Sequence, residues 1–145
     1  GSSAAAKFST WENRRKWNDV PEVADLVAAF RELKRRSDDL EADVVGYSFG
    51  AHAAMEACRK GMIHPRRLVG LCPPMDEIAG LPMEAIECPV SLIYGDQDFA
   101  SPAERVLKMR GFLPDNFEVA ILPDSDHFFI GQEQRIARVV ADRLL

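Results

Sequence analysis

The sequence has few cysteines, no excess of positive charge and no long apolar run, and each of these features excludes a class of protein. The 145 residues contain three cysteines without C-x-x-C spacing, which predicts buried free thiols rather than a disulfide framework or a zinc site. Lysine and arginine number 18 against 23 acidic residues, and the net charge of −5 gives no general attraction to nucleic acid or an anionic membrane. No apolar stretch approaches the roughly 18 residues of a membrane span, and the N-terminus lacks the apolar core of a signal peptide. We therefore expect a cytoplasmic protein with no nucleic-acid or membrane partner.

Short apolar segments alternate with helix-forming segments along most of the chain, whose 47% hydrophobic content suffices for one packed domain. Apolar, β-branched runs predict strands at 43–47, 67–72, 90–94 and 117–123. Helical spacing and composition predict helices at 21–36, 49–60, 101–112 and near the C-terminus. The third of these helices is expected to be capped by Ser101, with Pro102 at its first position. This alternation predicts an α/β fold with a parallel sheet covered on both faces by helices.

The stretch GYSFG, residues 46–50, places a serine between two glycines where a predicted strand meets a predicted helix. A side chain at the apex of so tight a turn requires strained backbone, and the positions two before and two after it must be nearly free of side chains. Gly46 and Gly50 meet that requirement. Ser48 would then lie at a helix N-terminus, where backbone N–H groups stabilise developing negative charge. We interpret Ser48 as a nucleophile in a nucleophile elbow; the alternative is a helix N-cap in a glycine-rich turn.

Acidic residues and a histidine follow the later strands, at the sheet edge where Ser48 lies and where parallel sheets bind ligands. A serine becomes nucleophilic when a base removes its proton and an acid orients that base. The order Ser48, Asp98, His127 predicts such a catalytic triad. Asp96 is a second candidate for the acid, although it could instead hold the turn. The three histidines show no close ligand spacing, so we expect neither a metal nor a cofactor.

Four segments together resemble one family in order and spacing: VVGYSFGAHAA, LVGLCPPM, CPVSLIYGDQDFASP and ILPDSDHFFIG. Over roughly residues 20–145, the chain resembles the C-terminal two-thirds of an α/β-hydrolase, close to the small dienelactone-hydrolase-like esterases of bacteria. The resemblance implies a parallel α/β-hydrolase sheet whose N-terminal strands are missing. We expect a flexible N-terminal segment or tag plus loop at 1–19, and the resemblance implies a partial α/β-hydrolase domain at 20–145. In this family the acid follows a G-x-x-D turn, which falls on Asp98.

The same resemblance implies a serine hydrolase that cleaves a small carboxylic ester or thioester through an acyl-Ser48 intermediate. The oxyanion is expected to be held by the N–H of Phe49 and by a second N–H from a loop near the N-terminal strands. Tyr47, Phe99 and Phe128 flank the expected catalytic residues and could line an acyl pocket, or they could be core aromatics. The alternative function is a non-catalytic α/β-hydrolase-like scaffold or subunit of an assembly.

The strand at 43–47 is apolar on both faces, which predicts a position inside the sheet. Nothing before residue 20 has the pattern of a strand that could flank it on the side away from 67–72. We therefore expect a missing N-terminal segment, a second chain or a homodimer to cover this strand.

Overall fold

Five parallel strands form a single sheet in the computed structural model, which describes residues 3–9, 28, 32 and 41–145. The strands pair in chain order: β1 Ser3–Ser9, β2 Glu41–Tyr47, β3 Leu68–Leu71, β4 Val90–Gly95 and β5 Phe117–Leu122. Consecutive residues 42–45 of β2 are all buried. Since neighbouring side chains of a strand point to opposite faces, this strand is covered on both sides.

Helical segments connect the strands, as expected for parallel pairing. They are α1 Phe49–Arg59, α2 Met75–Ile78, a 3-10 helix at Met83–Ala85, α3 Ala103–Arg110 and α4 Glu133–Arg143. The predicted fold class, a parallel α/β sheet with helices, is therefore confirmed. None of the helices in the described part of the chain is long and apolar enough to cross a membrane.

Helix α1 packs closely on the sheet because its inner side chains are small. Ala51, Ala53, Ala54 and Ala57 are all buried. A Cβ on Gly46, at the end of β2, would lie 2.6 Å from the Cα of Ala51, closer than real Cβ contacts allow. The glycine two residues before Ser48 is therefore required so that α1 can begin directly above the strand.

The N-terminal residues correct one prediction. Residues 3–9 form a strand that pairs in parallel with β2, from Ser3 opposite Glu41 to Ser9 opposite Tyr47, where a flexible segment or tag was expected. The run SAAAKFS has little β-propensity, but it satisfies backbone N–H and C=O groups of β2 on the side away from β3. The expectation that no segment before residue 20 flanks the strand at 43–47 is therefore wrong, and β1 covers the side that was left to a missing segment, a second chain or a homodimer. Among the described residues, the outer edges of β1 and β5 have no partner strand.

Two helix predictions have different outcomes. Residues 28 and 32 are helical, and the rest of the predicted helix at 21–36 lies outside the described residues. Ser101 does not cap α3; Pro102 occupies the cap position without a side-chain hydrogen bond. The buried hydroxyl of Ser101 instead accepts a hydrogen bond from the N–H of Met75, at 3.1 Å. Met75 is the first residue of α2, so its N–H has no partner within its own helix and the serine supplies one.

Candidate active site

Ser48 has the strained backbone that its glycine-flanked sequence predicts. It follows β2 and precedes α1, with φ 54° and ψ −117°, a region that residues with a side chain rarely occupy. Its N–H donates to the carbonyl of Leu71 at 2.7 Å, which ties the turn to the end of β3. The turn therefore holds the serine at the carboxyl edge of the sheet.

Two hydrogen bonds connect the three side chains predicted to be nucleophile, base and acid. Ser48 Oγ lies 3.0 Å from His127 Nε2, and His127 Nδ1 lies 2.8 Å from Asp98 Oδ2. All three residues are buried. They come from three places in the fold: the end of β2, the turn after β4 and the loop after β5. With the carboxylate accepting from Nδ1–H, Nε2 is the unprotonated nitrogen and faces the serine hydroxyl.

Asp98 and Asp96 have distinct positions after β4. Asp98 Oδ1 accepts a hydrogen bond from the N–H of Ala100 at 2.8 Å, while Oδ2 faces the histidine. Asp96 Oδ1 accepts from the N–H of Ser125 at 3.3 Å and so connects the turn to the loop that carries His127. Of the two candidates, Asp98 is therefore the one placed against the imidazole, and Asp96 holds the turn.

Gly95 allows this turn and the histidine loop to approach each other. A Cβ at this position would overlap the backbone carbonyl of Ser125 and lie 2.9 Å from the carbonyl oxygen of Asp126. Only a residue without a side chain fits between the end of β4 and this loop. Gly95 thus contributes to the short distance between Asp98 and His127.

Two donors from different strands hold the backbone carbonyl of His127. The Tyr47 hydroxyl donates to it at 2.8 Å and the Cys72 thiol at 3.2 Å. Burial raises the pKa of both groups, so both keep their protons at neutral pH and remain donors. Sequence reasoning missed this role for either residue. The only signal was that Tyr47 ends β2 and Cys72 directly follows β3, both at this edge of the sheet.

The loop around His127 also carries its own backbone restraints. Asp126 Oδ1 accepts hydrogen bonds from the N–H groups of Phe128 at 2.9 Å and Ile130 at 3.2 Å. Phe129 is buried and has a positive φ of 53°. These contacts fix the turn after the histidine.

One group of side chains in the described part of the chain has donor atoms close enough for a metal ion. Atoms of Cys72, Asp98 and His127 lie within 4.8 Å of one another. Both nitrogens of His127 are already hydrogen-bonded to Ser48 and Asp98. Burial and the nearby Asp98 carboxylate raise the pKa of the Cys72 thiol, which disfavours the thiolate that a metal would need. The donor set therefore fits a proton-transfer chain better than a metal site.

A cavity of about 320 Å³ opens over Ser48 and His127. Its aromatic lining consists of Phe49, Phe99 and Phe128. Phe99 is 73% exposed, and its ring centroid lies 5.0 Å from that of His127. The cavity thus offers an apolar surface beside the serine hydroxyl.

The remaining lining of the cavity is partly charged. Arg105 of α3 and Asp76 of α2 form an ion pair at 2.6 Å on its rim. Tyr47, which was expected to bind substrate, is not among the lining residues described; its hydroxyl is directed to His127 instead. Phe99 and Phe128 do lie at the cavity, where the sequence placed them.

The N-terminus of α1 lies at the same cavity. Phe49 is the first residue of this helix and lines the cavity next to Ser48. The first N–H groups of a helix have no partners within it and carry a partial positive charge. The segment that was expected to supply a second oxyanion donor lies outside the described residues.

Solved structures with a similar fold include three α/β serine hydrolases or esterases. An α/β serine hydrolase homologue from Coxiella burnetii matches at 24% identity and TM-score 0.77, over 90% of this chain and 62% of that one. An a/b serine hydrolase without lid from Xanthomonas campestris matches at 22% and 0.64, over 80% and 55%. A Pyrococcus furiosus esterase matches at 22% and 0.65, over 86% and 61%. This chain therefore has the α/β-hydrolase fold and spans less than two thirds of the length of each of these structures.

The family can be identified from the sequence as a whole. A search of curated proteins found none that matches this chain. The model of the dienelactone hydrolase family matches residues 2–143, which includes every residue of the serine, histidine and aspartate cluster and also β1. The chain therefore belongs to the dienelactone hydrolase family.

Proposed function

We propose that this protein is a serine hydrolase that cleaves small carboxylic esters or thioesters through an acyl-Ser48 intermediate. The observation that carries the proposal is the chain of two hydrogen bonds from Ser48 Oγ through His127 to Asp98, at the base of an open cavity. A nucleophile and base within hydrogen-bond reach, with the base oriented by a third group, are the parts that nucleophilic acyl transfer requires.

In the acylation step, Ser48 Oγ attacks the substrate carbonyl while His127 Nε2 takes the hydroxyl proton. Asp98 keeps Nδ1 protonated and stabilises the imidazolium that forms. In this proposal the N–H of Phe49, at the positive end of α1, holds the developing oxyanion. His127 then gives the proton to the departing alcohol or thiol, which leaves the acyl group on Ser48.

Deacylation uses the same groups in the same geometry. Water replaces the leaving group in the cavity, and His127 Nε2 accepts its proton as the water attacks the acyl carbonyl. The tetrahedral intermediate collapses, the proton passes to Ser48 Oγ and the carboxylic acid is released.

The cavity supports a small substrate with an apolar part. Its volume of about 320 Å³ is at the low end of the range for small-molecule sites. The exposed ring of Phe99 and the half-exposed ring of Phe128 lie 6.1 Å apart between centroids and would pack against an acyl chain or an aromatic leaving group.

A fluorophosphonate probe tests the proposal directly, since it labels serines activated in this way. We expect wild type to be labelled at neutral pH and Ser48→Ala to be unlabelled. Ser91→Ala is the matched control, because Ser91 lies on β4 and donates to Glu118 at 2.7 Å, away from the cavity. Labelling that persists in the Ser48 variant would disprove the proposal. A folded wild type that takes no label would favour the non-catalytic scaffold.

A further inference from the structure

Two exposed aromatic side chains, Phe99 and Phe128, lie together at the cavity over Ser48. Phe99 is 73% exposed and Phe128 is 48% exposed, and their ring centroids lie 6.1 Å apart. A single apolar side chain at a protein surface is common and needs no explanation. These two, however, contact each other within the cavity. We call Phe99 and Phe128 the aromatic pair.

Both rings of the aromatic pair contact the imidazole of His127. The Phe99 centroid lies 5.0 Å from that of the imidazole, with the planes at 57°. The Phe128 centroid lies 5.3 Å from it in an edge-to-face arrangement, with the planes at 87°. Both distances lie within the range of favourable contacts between rings. The exposed surface of the aromatic pair is therefore found directly beside the proposed base.

The backbone of each member of the aromatic pair is held by hydrogen bonds. On either side of Phe99, the carboxylate of Asp98 accepts the N–H of Ala100 at 2.8 Å, and the carbonyl of Asp98 accepts the N–H of Ser101 at 3.4 Å. The N–H of Phe128 itself donates to Asp126 Oδ1 at 2.9 Å. The two rings are thus attached to fixed turns, so a substrate that packs against them need not order a mobile loop.

The chemistry of the proposed reaction determines which part of a substrate lies beside His127. Nε2 lies 3.0 Å from Ser48 Oγ and gives its proton to the leaving oxygen or sulfur, so that atom must come within about 3 Å of Nε2. The acyl group is bonded to the carbonyl carbon and receives no proton, so it needs no such approach. The part of the substrate that extends past His127 to the aromatic pair is therefore the leaving group.

From this geometry we propose that Phe99 and Phe128 form the leaving-group subsite, and that the substrates are esters or thioesters with an aryl leaving group. The inference rests on the proposed hydrolase function. An aryl ring bonded directly to the leaving atom lies one bond away from the proton acceptor, close enough to pack against the aromatic pair. In the acylation of an aryl ester, the bond from Ser48 Oγ to the acyl carbon forms, and the bond from that carbon to the phenolic oxygen breaks. The phenol takes the proton from His127 Nε2.

Two isomeric esters test the side on which the ring binds. Phenyl acetate and methyl benzoate contain the same atoms, with the ring on the leaving group in the first and on the acyl group in the second. Phe99→Leu keeps an apolar side chain but removes the aromatic ring. We expect this variant to lower the ratio of kcat/KM for phenyl acetate to that for methyl benzoate by roughly 3- to 10-fold relative to wild type, as the loss of one aromatic contact implies.

Phe112→Leu is the matched control for this substitution. Phe112 is 88% exposed, follows α3 and does not line the cavity. The same ratio should therefore stay within about twofold of wild type in this variant. The rate of fluorophosphonate labelling gives a second reference, because the fluoride that leaves the probe carries no ring. In Phe99→Leu, kcat/KM for phenyl acetate should fall further than this labelling rate.

The outcomes separate this proposal from the proposed function. If Phe99→Leu lowers both esters and the labelling rate equally, Phe99 only supports the imidazole and the leaving-group subsite is disproved. A loss confined to methyl benzoate would place the ring on the acyl side and would also overturn the proposal. So would an unchanged ratio, or no hydrolysis of phenyl acetate, in a protein whose Ser48 is labelled, and either result would leave the activated serine standing. A folded wild type that takes no label would instead refute the proposed function itself.

Discussion

Replacing Asp98 with asparagine tests how the acid orients the histidine. Asp98 Oδ1 accepts the N–H of Ala100 at 2.8 Å. An asparagine must keep its oxygen there, because its NH₂ group would face another donor. Its NH₂ group is then directed at His127 Nδ1, in the position of the carboxylate oxygen that now lies 2.8 Å away. Nδ1 becomes the acceptor, and the proton moves to Nε2, which faces Ser48.

In this tautomer His127 Nε2 already carries a proton and cannot accept the one from Ser48. The histidine therefore no longer acts as a base, although its side chain stays in the same position. Loss of the correct tautomer in a serine–histidine–aspartate site lowers kcat by on the order of 10⁴, which corresponds to about 5 kcal/mol of activation free energy. The assay is hydrolysis of p-nitrophenyl acetate at neutral pH, with kcat and KM measured separately. We expect the loss to fall on kcat, with a folded variant shown by circular dichroism.

Asp96→Asn is the matched control for this prediction. Asp96 uses one oxygen to accept the N–H of Ser125 at 3.3 Å, and an amide oxygen can do the same. Its kcat should therefore stay within about twofold of wild type. If kcat falls further in Asp96→Asn than in Asp98→Asn, the assignment of Asp98 as the acid is refuted, and so is the reasoning from the Ala100 hydrogen bond.

Two further substitutions test the supports of the site and of the sheet. Tyr47→Phe removes a donor to the His127 carbonyl and should lower kcat several-fold and unfolding free energy by about 1 kcal/mol, measured by kinetics and urea unfolding. If KM rises while kcat is unchanged, Tyr47 acts on the substrate instead. Arg66→Ala should cost roughly 3 kcal/mol of unfolding free energy, because it leaves the buried carboxylate of Asp43, now paired at 2.6 Å, without its cation. In the same urea experiment Arg105→Ala, which breaks the exposed ion pair with Asp76, should lower the unfolding free energy by under about 1 kcal/mol. An equal loss of unfolding free energy in Arg66→Ala and Arg105→Ala would contradict this account.

Much of the sheet and its edge could be predicted because the signals are local. Strands β2 to β5 consist of short apolar runs, and Ser48 is marked by glycines within two residues on each side. Strand β1 could not be predicted, because SAAAKFS has no β-branched or aromatic pattern beyond one phenylalanine. Its conformation depends on pairing with β2, a tertiary interaction that overrides local propensity.

The supporting residues of the site could not be predicted because their contacts are remote in sequence. Tyr47 and Cys72 lie 80 and 55 residues before the His127 carbonyl that they hold. The position of Tyr47 next to the nucleophilic serine suggested a pocket residue, and Cys72 was expected to be a buried free thiol. For the acid, the G-x-x-D turn of the family already pointed to Asp98, but the hydrogen bonds that separate its role from that of Asp96 depend on the loop after β5, which packs against Gly95.

The backbone of Ser48 also bears on how this chain would change if its chemistry were lost. A serine with φ 54° and ψ −117° costs roughly 1 kcal/mol or more that a glycine would avoid. In a lineage that no longer used the hydroxyl, mutation to glycine would raise stability at no functional loss, and random drift would tend to remove the serine. The strained serine in this chain is therefore more consistent with continued use of its hydroxyl than with a scaffold that has given up catalysis.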